Sequence, residues 1–122
     1  MKKNFKRAAV PPRFSKESMS LVIGYLLQKS GMPQNVLGAQ IGLIDSSTSR
    51  MLSGERNVSA IELDQIARAL GTTAQDMIEQ AVRLETSGVV EQVRAARAAR
   101  AARAAQEDAQ NKMNGLIART LG

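Results

Sequence analysis

The chain has 122 residues, enough for one domain of ordinary size with extensions. It contains neither cysteine nor histidine, which excludes disulfides, zinc sites with Cys or His ligands, and acyl transfer by a Cys–His or Ser–His pair. The net charge of +6 is concentrated at the two ends: residues 1–20 carry six basic side chains and one acidic, and residues 86–122 carry six and three. This distribution favours a polyanionic partner.

The first predicted segment is a flexible basic arm, residues 1–17. Pro11 and Pro12 interrupt it, and it shows neither the period of a helix nor that of a strand. Its basic side chains are Lys2, Lys3, Lys6, Arg7 and Arg13. Such an arm either contacts the minor groove or the phosphates of a nucleic acid, or it is a solubilising tail, and the sequence leaves both roles open.

Residues 18–85 are predicted to form one domain of five short helices, approximately 18–30, 34–41, 45–53, 60–70 and 74–84. Each of the first four is followed by glycine, the residue that most often ends a helix in the left-handed conformation. These glycines are Gly31, Gly42, Gly54 and Gly71. Because helices this short are unstable alone, they must share one core. With no strand pattern anywhere, the predicted fold class is all-α.

Two of these helices have recognisable starts. Ser59 followed by Glu62 three residues later is the pattern of a capping box at the start of helix four. Thr73 occupies the capping position of helix five. Helix four also has the clearest apolar period, which indicates that one side of it faces the core.

Residues 86–122 are predicted to form a long C-terminal helix. Arg-Ala-Ala repeats place Arg94, Arg97, Arg100 and Arg103 among alanines, and both residue types favour helix. The period of three turns each successive arginine by about 60° around the axis, which excludes a regular coiled-coil seam. A second apolar group follows at Met113, Leu116, Ile117 and Leu121. Three roles stay open for this extension: dimerisation, contact with DNA phosphates, or a solvated helix without a specific role.

The segment 33–56 carries the functional signal. It contains two short helices joined by Gly42, Leu43 and Ile44. The second helix has Met51 and Leu52 on one side, and short or cationic residues on the other. A helix with a small polar outer side can enter the major groove of DNA, where bulky apolar residues would prevent the approach.

This segment resembles the Cro/C1-type helix-turn-helix family of phage and bacterial repressors, also called the XRE family. The stretch that carries the resemblance is MPQNVLGAQIGLIDSSTSRMLSGERNVSAIELDQIARALG. The resemblance covers about residues 18–82. It implies a five-helix domain, like that of lambda repressor, which binds a pseudo-palindromic operator, commonly as a dimer.

The resemblance also assigns residues to a DNA-binding surface. The groove-facing positions of helix three are Asp45, Ser46, Ser49 and Arg50, with Ser47 as a further hydrogen-bonding residue. Gln34 would lie near a phosphate or a base edge, and the residues after helix three that would touch the DNA backbone are Ser53, Arg56 and Asn57. Arg50 is the candidate for a bidentate contact to guanine. Asp45 could accept a hydrogen bond from cytosine, but we favour its role as the N-cap of helix three.

Three positions depart from the family pattern. Pro33 replaces the usual Ser or Thr cap of helix two, and Gly38 replaces the preferred Ala, which lowers helix stability by about 1 kcal/mol. Leu27 and Leu52 occupy positions where many members have a paired Arg and Glu. Because both partners change together, the exchange is compatible with a folded domain, and we predict that these two leucines touch.

The sequence therefore predicts a cytoplasmic, sequence-specific regulator of transcription that binds double-stranded DNA as a homodimer. The resemblance favours a phage or prophage repressor that recognises an inverted repeat. The alternative function is an antitoxin that neutralises a protein toxin through its C-terminal extension and regulates its own operon. We expect no enzymatic activity, because the carboxylates are scattered, and no cofactor, metal, small-molecule ligand or membrane partner.

Overall fold

The structure, a computed structural model, describes residues 8–122, and these contain six α-helices and no strand. The helices are α1 Lys16–Ser30, α2 Gln34–Gln40, α3 Asp45–Ser53, α4 Ala60–Ala69, α5 Ala74–Ser87 and α6 Val89–Leu121. The predicted all-α fold, five short helices followed by one long helix, is confirmed. Within the described range, no helix is both long enough and apolar enough to cross a bilayer.

The chain divides into two compact units at Gly88. The first unit ends at Ser87 and contains α1 to α5, and the second consists of α6 with its two flanking glycines. Gly88 has a left-handed backbone conformation with φ of 85°, so α5 ends before it and α6 begins after it. The first unit thus ends two residues after the predicted boundary, because α5 continues to Ser87.

Helix α1 lies at the centre of the five-helix unit, because it packs against both α5 and α3. Helix α2 packs against α3 and α4, and α4 packs against α5. The core is aliphatic, as the near-absence of aromatic residues requires, and each helix contributes to it. Among its fully buried side chains are Ile23, Leu37, Met51, Ile66 and Met77. Packing of this kind stabilises helices that would not form alone.

Helix α1 begins two residues earlier than the sequence indicated. Ser15 and Ser18 form a capping box, in which the Ser18 amide donates to Ser15 Oγ (3.2 Å) and the Ser15 amide donates to Ser18 Oγ (2.9 Å). The Ser15 hydroxyl also donates to the Glu85 carboxylate of α5. Phe14 packs against the core. Residues 14–17, predicted as the end of the arm, are therefore part of the helical unit.

The other predicted helix ends agree with the structure to within a few residues. Gly31, Gly42, Gly54 and Gly71 all have positive φ, as expected of residues that follow a helix. The capping box of Ser59 and Glu62 is present at the start of α4. Thr73 Oγ1 accepts a hydrogen bond from the Asp76 amide (3.1 Å), which confirms its capping role at α5.

The contact between Leu27 and Leu52 stays a prediction. Leu27 of α1 is buried, Leu52 of α3 packs against the same core cluster, and the two helices are neighbours. Leu27→Arg alone should lower the free energy of unfolding by about 3–5 kcal/mol, because it buries an unpaired charge. Adding Leu52→Glu should recover at least about 1 kcal/mol by pairing that charge. Urea unfolding of the single and double variants measures the coupling, and strictly additive losses would contradict the contact.

Candidate nucleic-acid interface

Helices α2 and α3 are joined by a short turn, residues 41–44. Gly42, with φ of 75°, reverses the chain direction within this turn. The Leu43 amide donates to the Gly38 carbonyl oxygen (2.8 Å), which ties the turn to α2. The Leu37 and Ile41 side chains are buried beneath it, so the turn is anchored to the core. These contacts fix where α3 starts relative to α2.

Helix α3 has one buried side and one exposed polar side. Thr48 and Met51 have no exposed surface, and Leu52 packs against the core. The exposed side chains of the helix are Asp45, Ser46, Ser49, Arg50 and Ser53. Ser47 is half-buried at the border between the two sides. The spacing of three and four residues places the exposed group along one stripe of the helix surface.

The two helices approach each other most closely where Gly38 of α2 faces Thr48 of α3. A Cβ atom added at Gly38 would lie 2.4 Å from Thr48 Oγ1 and 3.3 Å from the Leu43 carbonyl oxygen. Thr48 Oγ1 in turn donates to the Ile44 carbonyl oxygen (3.1 Å), so the buried hydroxyl is satisfied. From the sequence alone, Gly38 is only a weakness of α2, and Thr48 has no assigned role. Neither residue's role has a local sequence signal, because the contact is between helices.

The end of α3 is held against α1. Gly54 has φ of 83°, and a Cβ added there would lie 3.1 Å from Ser20 Oγ and 3.3 Å from Glu17 Cα. Both the left-handed conformation and the close approach therefore require glycine at this position. The Arg50 carbonyl oxygen accepts hydrogen bonds from Ser53 Oγ (3.0 Å) and from the Glu55 amide (3.0 Å). These bonds satisfy a carbonyl in the last turn of the helix.

The start of α3 differs from the expected arrangement. The N-cap residue is Ile44, which makes no side-chain capping bond, and Asp45 is the first residue inside the helix. The favoured role of Asp45 as the N-cap is therefore wrong, because the helix begins one residue earlier than a capping aspartate would allow. Asp45 instead places its negative charge in the first turn, where the helix dipole favours it. Its side chain is exposed on the same stripe as Ser49.

Arg56 and Glu62 form a two-bond ion pair beside the end of α3. Arg56 Nη2 donates to Glu62 Oε2 (2.6 Å) and Nη1 donates to Oε1 (3.1 Å), and Glu62 also belongs to the capping box of Ser59. The hydrogen bond from Arg56 holds the pKa of Glu62 below its ordinary value, although partial burial opposes this shift. The same hydrogen bond raises the pKa of Arg56. The pair connects the loop after α3 to the start of α4.

The remaining predicted site residues have different surroundings. Gln34 is exposed at the first position of α2, and Asn57 is exposed in the loop after α3. Arg13 is exposed directly before the core residue Phe14, whereas the four basic arm residues Lys2, Lys3, Lys6 and Arg7 lie outside the described residues. On α6, Arg94 pairs with Glu91, and the exposed arginines Arg97, Arg100 and Arg103 follow at intervals of three residues.

Two short helices joined by a glycine-containing turn, with a polar side exposed on the second, define a helix-turn-helix, here within a five-helix unit. No family model and no curated protein sequence matches the chain. Two crystal structures of the clp gene regulator ClgR of Corynebacterium glutamicum are similar to it. One is 18% identical and covers 70% of this chain and 88% of that chain, with a TM-score of 0.59. The other is 20% identical and covers 62% and 94%, with a TM-score of 0.52. At these identities the likeness establishes a shared fold.

The first prediction for this site concerns the close approach of α2 and α3. Gly38→Ala should lower the free energy of unfolding by about 1–3 kcal/mol, because the added methyl group overlaps with Thr48 Oγ1. Gly24→Ala is the matched control, since a Cβ at Gly24 of α1 meets no atom within 4 Å. This control should stabilise the protein by up to about 1 kcal/mol through helix propensity. Thermal and urea unfolding measure both changes.

A second substitution separates the overlap from other effects of the methyl group. In a Thr48→Ala background Thr48 Oγ1 is absent and only the 3.3 Å contacts with the Leu43 carbonyl oxygen and the Cβ of residue 48 remain, so adding Gly38→Ala should cost less than it does in the wild type. In a Thr48→Val background a methyl group replaces Thr48 Oγ1, so the loss of stability caused by Gly38→Ala should persist. Equal costs of Gly38→Ala in the alanine and valine backgrounds would contradict the proposed contact.

The second prediction concerns the ion pair of Arg56 and Glu62. Glu62→Gln keeps a side chain suited to the capping box but removes the charge, and should cost about 1–2 kcal/mol at pH 7. Because the folded state lowers the pKa of Glu62, its contribution is complete above the ordinary value of 4.5 and is lost as the pH falls through the lower folded value. The stability difference between wild type and variant should therefore shrink below pH 4.5.

Glu55→Gln provides the control, because Glu55 is exposed in the same loop and, among the described residues, is not paired with a basic side chain. Its stability difference from wild type should stay close to zero between pH 3 and pH 7, within about 0.5 kcal/mol. A difference for Glu62→Gln that stays constant across the acid range would show that the pair with Arg56 is not formed in solution.

Proposed function

We propose that this chain is a transcriptional regulator that binds a specific sequence of double-stranded DNA by placing α3 in the major groove. The observation that carries the proposal is the stripe of exposed Asp45, Ser46, Ser49, Arg50 and Ser53 on a helix whose opposite side is buried. Short polar side chains allow the helix axis to come close to the base edges, in a groove about 12 Å wide. The likeness in fold to a protein named as a gene regulator supports the same assignment.

The proposed roles follow from the chemistry of each side chain. Arg50 has the donor geometry for a bidentate contact to guanine, and its exposed guanidinium has no ion-pair partner within the described residues. Ser46 and Ser49 can exchange hydrogen bonds with several base edges, and Asp45 can accept one from cytosine. Ser47 would contribute from the border of the surface. Ile44, directly before α3, has an exposed apolar side chain of the kind that contacts a thymine methyl group.

Residues around α3 would position it on the DNA backbone. Three residues are proposed to contact phosphates or sugars: Gln34 at the start of α2, Ser53 at the end of α3, and Asn57 in the loop after α3. Arg56 was expected to do the same, but its guanidinium is engaged by Glu62. We therefore propose that Arg56 acts mainly by holding the loop that carries Asn57, whose carbonyl oxygen accepts a further bond from Arg56 Nη1 (3.4 Å).

The helical unit itself is not basic. Residues 16–87 carry six Lys/Arg and eight Asp/Glu, so their net charge is −2. Neutralisation of DNA phosphates must then come mainly from the N-terminal basic residues and the arginines of α6. This division assigns sequence selectivity to α3 and affinity without sequence preference to the two ends of the chain.

A homodimer that recognises an inverted repeat completes the proposal. One helix-turn-helix reads few base pairs, and two copies related by a two-fold axis read two half-sites. We propose that the regulator is a cytoplasmic repressor of the phage or prophage type, on the strength of the sequence resemblance. No reaction, cofactor or small-molecule ligand is part of this proposal.

Selection of bound duplexes from a random pool tests the proposal and should yield an inverted-repeat motif for the wild type. Arg50→Ala should relax the preference at one base pair per half-site, at a cost of about 1–3 kcal/mol there. Arg68→Ala is the matched control, because it removes an equally charged, exposed side chain from α4. It should leave the selected motif unchanged.

The N-terminal residues give a contrasting result in the same assay. Replacing Lys2, Lys3, Lys6 and Arg7 by glutamine should weaken binding to all duplexes alike and flatten the dependence of affinity on salt. For Arg50→Ala, an equal loss of affinity on selected and random DNA would contradict its base-reading role. A wild-type chain that enriches no sequence from the pool would overturn the proposed function.

A further inference from the structure

Helix α6 carries two apolar groups on one side, with Gln106 between them on the same side. With 3.6 residues per turn, Ala95, Ala98, Ala99 and Ala102 lie within about 60° of one direction around the axis. Met113, Leu116, Ile117 and Thr120 lie within about 60° of the same direction. The two groups therefore form the two halves of a single face. This face leaves large apolar side chains in water, since Met113 is 57%, Leu116 60% and Ile117 48% exposed.

The two halves of the face differ in size. On this face, the half between residues 95 and 102 presents only alanine methyl groups, whereas the half between residues 113 and 117 presents the long apolar side chains of Met113, Leu116 and Ile117. Packed helices stand about 8 Å apart where small residues meet and about 10 Å apart where large ones meet. A parallel pair of α6 helices in register would set alanines against alanines at one end and large residues against large residues at the other. One straight pair of helices cannot satisfy both distances.

An antiparallel pair removes this conflict. It places each large residue of one copy beside an alanine of the other, and the small hydroxyl residue beside the fourth alanine. The pairs at equal height are Met113 with Ala102, Leu116 with Ala99, Ile117 with Ala98, and Thr120 with Ala95. The two residue numbers in every pair have the same sum, so one two-fold axis, between residues 107 and 108, relates all four pairs. The face is thus complementary to a second copy of itself.

We propose that α6 pairs with α6 of a second copy of this chain in an antiparallel arrangement along this face. The inference specifies the geometry of the homodimer in the proposed function, and its biological meaning rests on that function. The four repeat arginines do not interfere, because Arg94 and Arg103 lie about 90° from the centre of the face, and Arg97 and Arg100 lie further away. They stay at the border or on the outer side of the pair, in water.

Cysteine cross-linking tests the arrangement directly, because the chain contains no cysteine of its own. Gln106 is on the face, beside the proposed axis, so Gln106→Cys should form an intermolecular disulfide in high yield under mild oxidation. Ala102 is on the same face, but in the antiparallel pair it is about 16 Å along the axis from its own copy, at 1.5 Å per residue. Ala102→Cys alone should therefore not cross-link, whereas a mixture of Ala102→Cys and Met113→Cys chains should do so.

Ala104→Cys is the control for random collision, because Ala104 is on the opposite side of the helix. Efficient cross-linking of Ala102→Cys with itself would indicate a parallel pair and overturn the proposal. Failure of Gln106→Cys to cross-link in a chain that sediments as a monomer would overturn it as well. That result would favour a different protein, such as a toxin, as the partner of the apolar face.

The strength of the pair gives an independent readout. Ile117→Ala should raise the dissociation constant of the dimer by about tenfold or more, since it removes a large residue from the shared face. Lys112→Ala, which lies outside the face, should leave the constant within about twofold. An Ile117→Ala variant that dimerises like the wild type would contradict the proposal.

The two proposals fail separately. A chain that cross-links at position 106 but enriches no DNA sequence keeps the antiparallel pair and loses the proposed function. A chain that selects an inverted repeat but cross-links through Ala102→Cys keeps the function and loses the antiparallel geometry.

Discussion

The surface formed by α3 depends on how closely α3 can approach α2. Thr48 is buried directly against Gly38, where even a methyl group would overlap with its hydroxyl oxygen. Close-packed interiors transmit such steric constraints, so this contact sets the position of the whole helix. Met51 beneath the helix and Gly54 at its end hold the same orientation. Because Thr48 and Met51 are buried on one side of α3, the polar stripe on the opposite side faces outward.

The order, type and approximate bounds of the helices could be predicted from the sequence because their signals are local. Glycines with positive φ end the early helices, and Ser59 with Glu62 and Thr73 with Asp76 start α4 and α5. Capping and apolar spacing act over three or four residues, which is the range that sequence patterns report. The core side of α3 was predictable for the same reason.

Contacts between distant segments could not be predicted in this way. From the sequence alone, Gly38 of α2 is only an unfavourable residue for a helix, because its partner Thr48 lies ten residues later and becomes a neighbour only through the turn. Ser15 was assigned to the arm, although its hydroxyl reaches Glu85 at the other end of the helical unit. The ion pair that engages Arg56 likewise depends on where α4 begins. Tertiary packing decides each of these cases.

Chemical protection of a selected operator from dimethyl sulfate shows whether the polar stripe of α3 occupies the major groove. The reagent methylates guanine at N7, in the major groove, and adenine at N3, in the minor groove. The bound protein should protect guanine N7 within each half-site and leave adenine N3 there reactive. Protection of adenine N3 with fully reactive guanine N7 would contradict this placement, because α3 would then not lie in the major groove.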